Sequence, residues 1–142
     1  MTSPLYREHP ISFVAFGKPT TQGSGRAITR KDGKAVLIQD NHSRLRSWRS
    51  TVADAAVSAM HGAAPYRGPT RLEVTFYAPI TKAAAKRRDR FPDGKPDASK
   101  LLRAVEDALI GIVYVDDCQI CELSVRKLWG EPARAEFVVT PL

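Results

Sequence analysis

The chain has 142 residues, 43% of them hydrophobic and 26% charged, with a formal charge of +7. That length suits one domain with its own core, the composition excludes global disorder, and no segment approaches the ~20 apolar residues of a membrane helix. The positive balance points to a polyanionic partner, nucleic acid before an anionic membrane surface. Residues 1–10 hold no apolar run, so no signal peptide is expected and the expected location is cytoplasmic.

Residues 11–17 are short, β-branched and aromatic, which predicts a strand ended by Lys18-Pro19. Residues 20–25 are polar and glycine-rich, hence a loop. Two β-capable runs, 26–30 and 35–39, flank Lys31-Asp32-Gly33-Lys34, and Asp-Gly in that setting signals a hairpin. This hairpin carries Arg26, Arg30, Lys31 and Lys34 and suits a phosphate backbone. Asp40 or Ser43 caps a helix running to about His61, with Gly62 as its stop. Leu45, Trp48, Val52, Ala55, Ala59 and Met60 form its apolar stripe, with Trp48 as a packing anchor, and Arg44, Arg46 and Arg49 lie off it.

A Gly/Pro linker, 63–69, leads to residues 71–78, where Leu72, Val74 and Phe76 alternate with Arg71, Glu73, Thr75 and Tyr77 as in a half-buried strand. Residues 81–95 are the most basic part, with Lys82, Lys86, Arg87, Arg88, Arg90 and Lys95 against Asp89 and Asp93. A helical turn at 83–88 fits there, but Pro92 and Pro96 stop it, and a mobile loop that orders on phosphates is expected. Residues 98–110 form the second helix, buried through Leu101, Leu102, Val105, Ala108 and Leu109. Residues 112–115 predict a strand leading into Asp116-Asp117. Residues 122–129 and 134–139 predict a final antiparallel pair around Gly130-Glu131-Pro132. The fold class is α/β (α+β): one domain over residues 1–142, with a mixed sheet and two main helices. Cys118 and Cys121 have no second cysteine pair, and His9, His42 and His61 show no ligand spacing, so buried or half-buried thiols are expected rather than a zinc or redox site.

Phosphodiester hydrolysis assisted by a metal needs oxygen ligands for a divalent ion and cations for the phosphates. Asp97 stands at the second helix's start, after Pro96, and Asp116 and Asp117 follow the strand after that helix. The helix spans ~20 Å at 1.5 Å per residue, so that strand must run back beside it to bring the carboxylates together. Adjacent strand residues face opposite ways, so one of Asp116 and Asp117 points at a shared ion. Locally, Asp97 also suits a helix N-cap, and Asp116-Asp117 a turn.

These residues resemble the RusA-like Holliday junction resolvases, small dimeric endonucleases common in phages and prophages. That family's pattern has Asp-x-Asp-Asn-Leu at a helix start, a Lys soon after, Asp-Ala-Leu at the helix end, a Gly, and a strand ending in Asp-Asp. Asp97, Leu101, Asp107-Ala108-Leu109, Gly111 and Asp116-Asp117, with Gln119 following, match it; Gly17-Lys18-Pro19 and the basic hairpin match its opening. Ser99 stands where the second acidic residue is expected, Lys100 replaces the Asn, and Arg103 replaces the Lys. The resemblance implies a Mg²⁺-dependent endonuclease, with Mn²⁺ as an alternative ion, that resolves four-way DNA junctions as a homodimer, away from membranes. It assigns the metal to Asp97, Asp116 and Asp117, helped by Ser99, Asp93 or Glu106, and a catalytic cation to Arg103. DNA contacts fall to Lys18, Arg26, Arg30, Lys31, Lys82, Lys86, Arg87, Arg88, Arg90, Lys95 and Lys100. Two other readings are a weakened or inactive junction-binding protein on the same fold, and a basic module for single-stranded nucleic acid or RNA. The latter needs exposed stacking aromatics, whereas most Phe and Tyr sit at core-like strand positions or beside prolines.

Overall fold

The alternation of β4, Thr70–Ala78, organises the sheet. Thr70, Leu72, Val74 and Phe76 are buried on one face, while the residues between them are half-buried on the other. In the computed structural model, which describes residues 9–23, 25–29, 31–39 and 42–142 (for 25–29 and 35–39 the backbone alone), β4 has two neighbours. It pairs antiparallel with β6, Arg134–Pro141, and parallel with β5, Ile120–Trp129. β1, Ile11–Phe16, pairs antiparallel with β6, giving the mixed order β1-β6-β4-β5. Phe13 and Phe137 face each other in that register, and their rings stack at 4.7 Å. β2, Gly25–Thr29, and β3, Ala35–Gln39, form the expected hairpin as a separate two-stranded sheet.

Two long helices pack together and complete the core of this α+β fold. α1, His42–Met60, buries Leu45, Trp48, Val52, Ala56 and Met60 against β1 and α3. It begins at His42, so Ser43 lies within the helix and does not cap it; Asp40 lies outside the described residues. α2 is a short helix, Lys82–Arg87, and α3 spans Ala98–Leu109. α3 buries Leu101, Ala104, Val105, Ala108 and Leu109.

Two expected strand features are corrected. Residues 112–115 form turns, not a strand. Val113 donates to Leu109 O at 3.0 Å, Gly111 donates to Tyr114 O at 2.7 Å, and the Tyr114 hydroxyl donates to Glu106 O at 2.7 Å. Val113 and Tyr114 are wholly buried, so the apolar run plugs the core at the end of α3, and its pairing is limited to isolated bridges of Tyr114 with Tyr66 and Ile110. β5 and β6 do not pair with each other, because β4 lies between them. Their connection crosses the end of β4, where Gly130 donates to Ala78 O at 2.9 Å. A Cβ at Gly130 would overlap the Tyr77 ring, so the crossing needs glycine there. The thiols also differ from expectation: both are exposed, Cys118 in the 3₁₀ turn Asp117–Gln119 and Cys121 near the start of the edge strand β5. Phe16 and Phe91, expected among sheltered aromatics, are exposed as well.

The basic segment after β4 is anchored. Thr81 Oγ1 caps α2 by accepting from Ala84 N at 3.1 Å. Trp129 Nε1 donates to Asp89 O at 3.0 Å, and Lys127 Nζ donates to Gly94 O and Pro96 O at 2.7 and 2.8 Å. These bonds tie the start of α3 to the end of β5.

The Asp116-Asp117 turn is fastened by Gln119. Its Oε1 accepts from Val115 N and Asp116 N, each at 2.9 Å, and its Nε2 donates to Tyr66 O and Gly68 O at 2.8 and 2.9 Å. One amide side chain therefore staples the turn to the linker before β4. Gln119→Ala is expected to lower the unfolding free energy by about 1–3 kcal/mol, because partly buried backbone groups lose their partners. Gln119→Glu, which lacks the two donor hydrogens, is expected not to restore the wild-type denaturation midpoint. Equal urea midpoints for wild type and Gln119→Ala would contradict this role.

Candidate metal and nucleic-acid site

Asp97 is the N-cap residue of α3, with extended backbone angles, yet its side chain makes no capping hydrogen bond. The carboxylate is about half exposed, and its ion-pair partner is Lys100 Nζ at 3.7 Å. Lys18, Arg44, Lys95 and Lys100 line a cleft of about 340 Å³ with Asp97. Ser99 is exposed in the first turn beside it. An exposed acid among several cations, not used as a cap, suits a place where phosphate oxygens and a positive ion meet.

The other end of α3 gathers four carboxylates. Asp116 Oδ1 accepts from Cys118 N at 3.1 Å and caps the 3₁₀ turn. That N–H, followed by a hydrogen bond from Asp117, holds the Asp116 carboxyl below its usual range. Asp117 is pushed upward by its hydrogen bond to Asp116, then by desolvation and by the charges of Asp116 and Asp107. Glu106 is raised by burial first and then by Asp117 and Asp107, with Arg103 opposing. Desolvation and like charge thus act together here, a pattern frequent at functional sites. Asp107 Oδ2 accepts from Gln22 Nε2 at 2.5 Å. Gln22 N in turn donates to Lys100 O at 3.1 Å, which lays residues 20–23 along α3. Gly23 has φ +96°, a backbone conformation that favours glycine, and the exposed Arg103 guanidinium lies against it. Across a cleft of about 460 Å³ between α1 and α3, Arg46 and Arg49 face Asp107.

These two ends do not meet within one chain. Twelve helical residues separate them by ~18 Å at 1.5 Å per residue. After Gly111 the chain stays at the C-terminal end of α3, and β5 carries it back only beyond Asp117, reaching the level of Pro96 at Lys127. The expected return of Asp116 or Asp117 to Asp97 therefore does not occur. Among the described residues, no three His, Cys, Asp or Glu side chains converge to hold a metal. The oxygen donors suit a hard cation by type, but one chain does not gather the expected set.

The other expected contacts lie on several exposed stretches. Lys82, Lys86, Arg87, Arg88 and Arg90 are exposed on and after α2; Arg87 binds Asp89 at 2.9 Å, and Arg90 lies over the Phe91 ring at 5.9 Å. Lys31 is exposed at the hairpin turn, and Arg103 is exposed on α3. Arg30 and the side chain of Arg26 lie outside the described residues. Sequence spacing alone does not select Gln22, Arg44, Arg46 or Arg49 for the site. The off-stripe positions of the three arginines are their signal, but only the packing of α1 against α3 shows which carboxylates they approach. Among the described residues, no helix is long and apolar enough to cross a membrane.

The chain matches the Endodeoxyribonuclease RusA family over residues 17–140. It is also similar to a protein of Bacillus subtilis (strain 168) named "Uncharacterized protein YqaN", at 29% identity over 139 residues, covering 91% of this chain and 94% of that protein. The family match includes Asp97, Ser99, Arg103, the acidic end of α3, the Asp116-Asp117 turn and the basic segment after β4. On that match, which runs from the end of β1 almost to the C-terminus, the chain belongs to the RusA family of Holliday junction resolvase-like nucleases.

Proposed function

We propose that residues 1–142 act as one Mg²⁺-dependent, structure-selective DNA endonuclease domain. It resolves four-way junctions by paired phosphodiester hydrolysis, works as a homodimer, and accepts Mn²⁺ in place of Mg²⁺. The observation that carries this reading is Asp97, an N-cap residue whose carboxylate does not cap and lines one cleft with Lys18, Arg44, Lys95 and Lys100. A carboxylate excused from the local task its position offers is available for a ligand.

In this reading Asp97 and Asp117 are metal ligands, and Asp116 chiefly shapes the turn through its bond from Cys118 N. Glu106 and Asp107 supply negative charge near Asp117 that Ser99, a neutral hydroxyl, does not supply near Asp97. The ion provides the Lewis acidity that phosphodiester hydrolysis needs. Arg103 keeps a cation where relatives carry Lys, and its planar guanidinium suits a phosphate better than proton donation. The exposed cations of α2 and the hairpin hold the arms of the junction through their phosphates. A binding-only role on the same fold is the second reading, favoured by Ser99.

Cleavage of a synthetic four-way junction with Mg²⁺, and its loss with EDTA, distinguishes the two. Asp117→Asn is expected to reduce the cleavage rate beyond the ~100-fold that outer-shell changes reach, with junction affinity unchanged or higher because a negative charge near phosphates is gone. Wild-type cleavage by Asp117→Asn would contradict the ligand assignment, and no cleavage by the wild type at any Mg²⁺ concentration would favour binding alone.

The basic segment is tested by salt. Lys82→Ala with Lys86→Ala removes two exposed cations. The slope of log K against log salt is expected to flatten by about 2, at ~0.9 for each phosphate no longer neutralised. An unchanged slope would mean that α2 does not touch DNA.

A further inference from the structure

Two exposed thiols, Cys118 and Cys121, flank Gln119 and Ile120 at the start of β5. In a regular strand that spacing points side chains to opposite faces. The chain is not a regular strand here. Cys118 and Gln119 lie in the 3₁₀ turn, and Ile120 is extended, with φ −72° and ψ 109°. A helical residue followed by an extended one is the order of a type VIII β-turn, which brings its first and fourth Cα atoms within ~7 Å. Cys118 and Cys121 are those two residues.

β5 is also irregular at this point. Thr70 of β4 stands opposite Ile120 and Arg71 opposite Glu122, so Cys121 is the extra residue of a bulge. A bulge re-aims the side chain it carries. The Cys121 thiol donates to Gln119 O at 3.4 Å, so its sulfur lies back over the turn that holds Cys118. Disulfides span Cα separations of about 4.4–6.8 Å, a range this turn reaches with a small tightening.

Tightening at this place reaches the carboxylates. Gln119, between the two cysteines, bonds Val115 N and Asp116 N through one end of its amide and Tyr66 O and Gly68 O through the other. Cys118 N donates to Asp116 Oδ1 at 3.1 Å. Drawing the chain together around Gln119 therefore pulls on both the staple and the cap that set Asp116 and Asp117.

We infer that Cys118 and Cys121 form a dithiol redox site, closed to an intrachain disulfide by a low-molecular-weight disulfide, and that closure shifts the Asp116-Asp117 turn and lowers nuclease activity. The effect on activity rests on the nuclease reading above; the disulfide does not. One thiolate of the pair attacks the small disulfide, giving a mixed disulfide and releasing one small thiol. The other thiolate attacks the protein sulfur of that adduct and releases the second small thiol. Two protein thiols are oxidised, one small disulfide is reduced to two thiols, and the two thiol protons pass to the released thiolates. An exposed disulfide is of the labile kind, so a reducing thiol pool reopens it.

Two experiments separate the redox site from its effect. Wild type is treated with glutathione disulfide, alkylated, and its intact mass measured. The expected product is a single chain that has lost two hydrogens and takes up no alkylating reagent, and dithiothreitol restores both reactive thiols. Cys118→Ser and Cys121→Ser each keep one thiol and are expected to stop at the glutathione adduct. A wild type that stops at glutathione adducts, or that links chain to chain, overturns the site. Next, junction cleavage with Mg²⁺ is compared for the open and closed forms. Closure is expected to slow cleavage by ~10-fold or more, the effect of changes just outside a ligand shell, with recovery in dithiothreitol. The double variant Cys118→Ser, Cys121→Ser is expected to cleave at one rate with and without glutathione disulfide. Equal rates for open and closed wild type overturn the switch. A wild type whose open form does not cleave defeats the nuclease reading and the switch together, and leaves the redox site standing.

Discussion

A helix of twelve residues is a rigid spacer, and α3 holds Asp97 at one end and the cluster of Glu106, Asp107, Asp116 and Asp117 at the other. Its apolar stripe, Leu101, Ala104, Val105, Ala108 and Leu109, is buried in the core, so the helix cannot tilt to bring Asp97 toward Asp117 without opening that core. The turn after Gly111 is similarly held, with Val113 and Tyr114 buried and Gln119 bonded on both sides. The start of α3 is held by Lys127. The carboxylates therefore keep their separation along α3.

The electrostatics follow from the same spacer. Asp97 sits among four cations, and the other end of α3 carries Glu106, Asp107, Asp116 and Asp117 with Arg103, Arg46 and Arg49 near. One end sets a single acid among several cations, and the other has an excess of negative charge.

Much of this was legible in the residues. The alternation of 71–78 and the stripe of α1 mark β4 and the α1 core face, since periodicity reports burial directly. The order Asp97, Asp107, Gly111, Asp116-Asp117 marks the family, and the match over residues 17–140 agrees on that. Two strand features were not legible, for physical reasons. Residues 112–115 are β-branched and apolar because they are buried, and burial in a turn looks the same in sequence as burial in a strand. The insertion of β4 between β5 and β6 depends on Gly130 passing the Tyr77 ring, a contact between residues far apart in the chain. The duties of Gln119 and the non-capping state of Asp97 depend on side-chain direction, which spacing does not encode. The arginines of α1 were visible as off-stripe cations, but the carboxylate they approach is set by helix packing.

The most direct measurement is the position of a bound ion. Crystals grown with Mn²⁺, with anomalous differences recorded near the manganese edge, locate it without reference to activity. The account predicts a peak within coordinating distance of Asp97, Asp117 or both. No peak at either carboxylate, with junction cleavage still dependent on Mn²⁺, would contradict it.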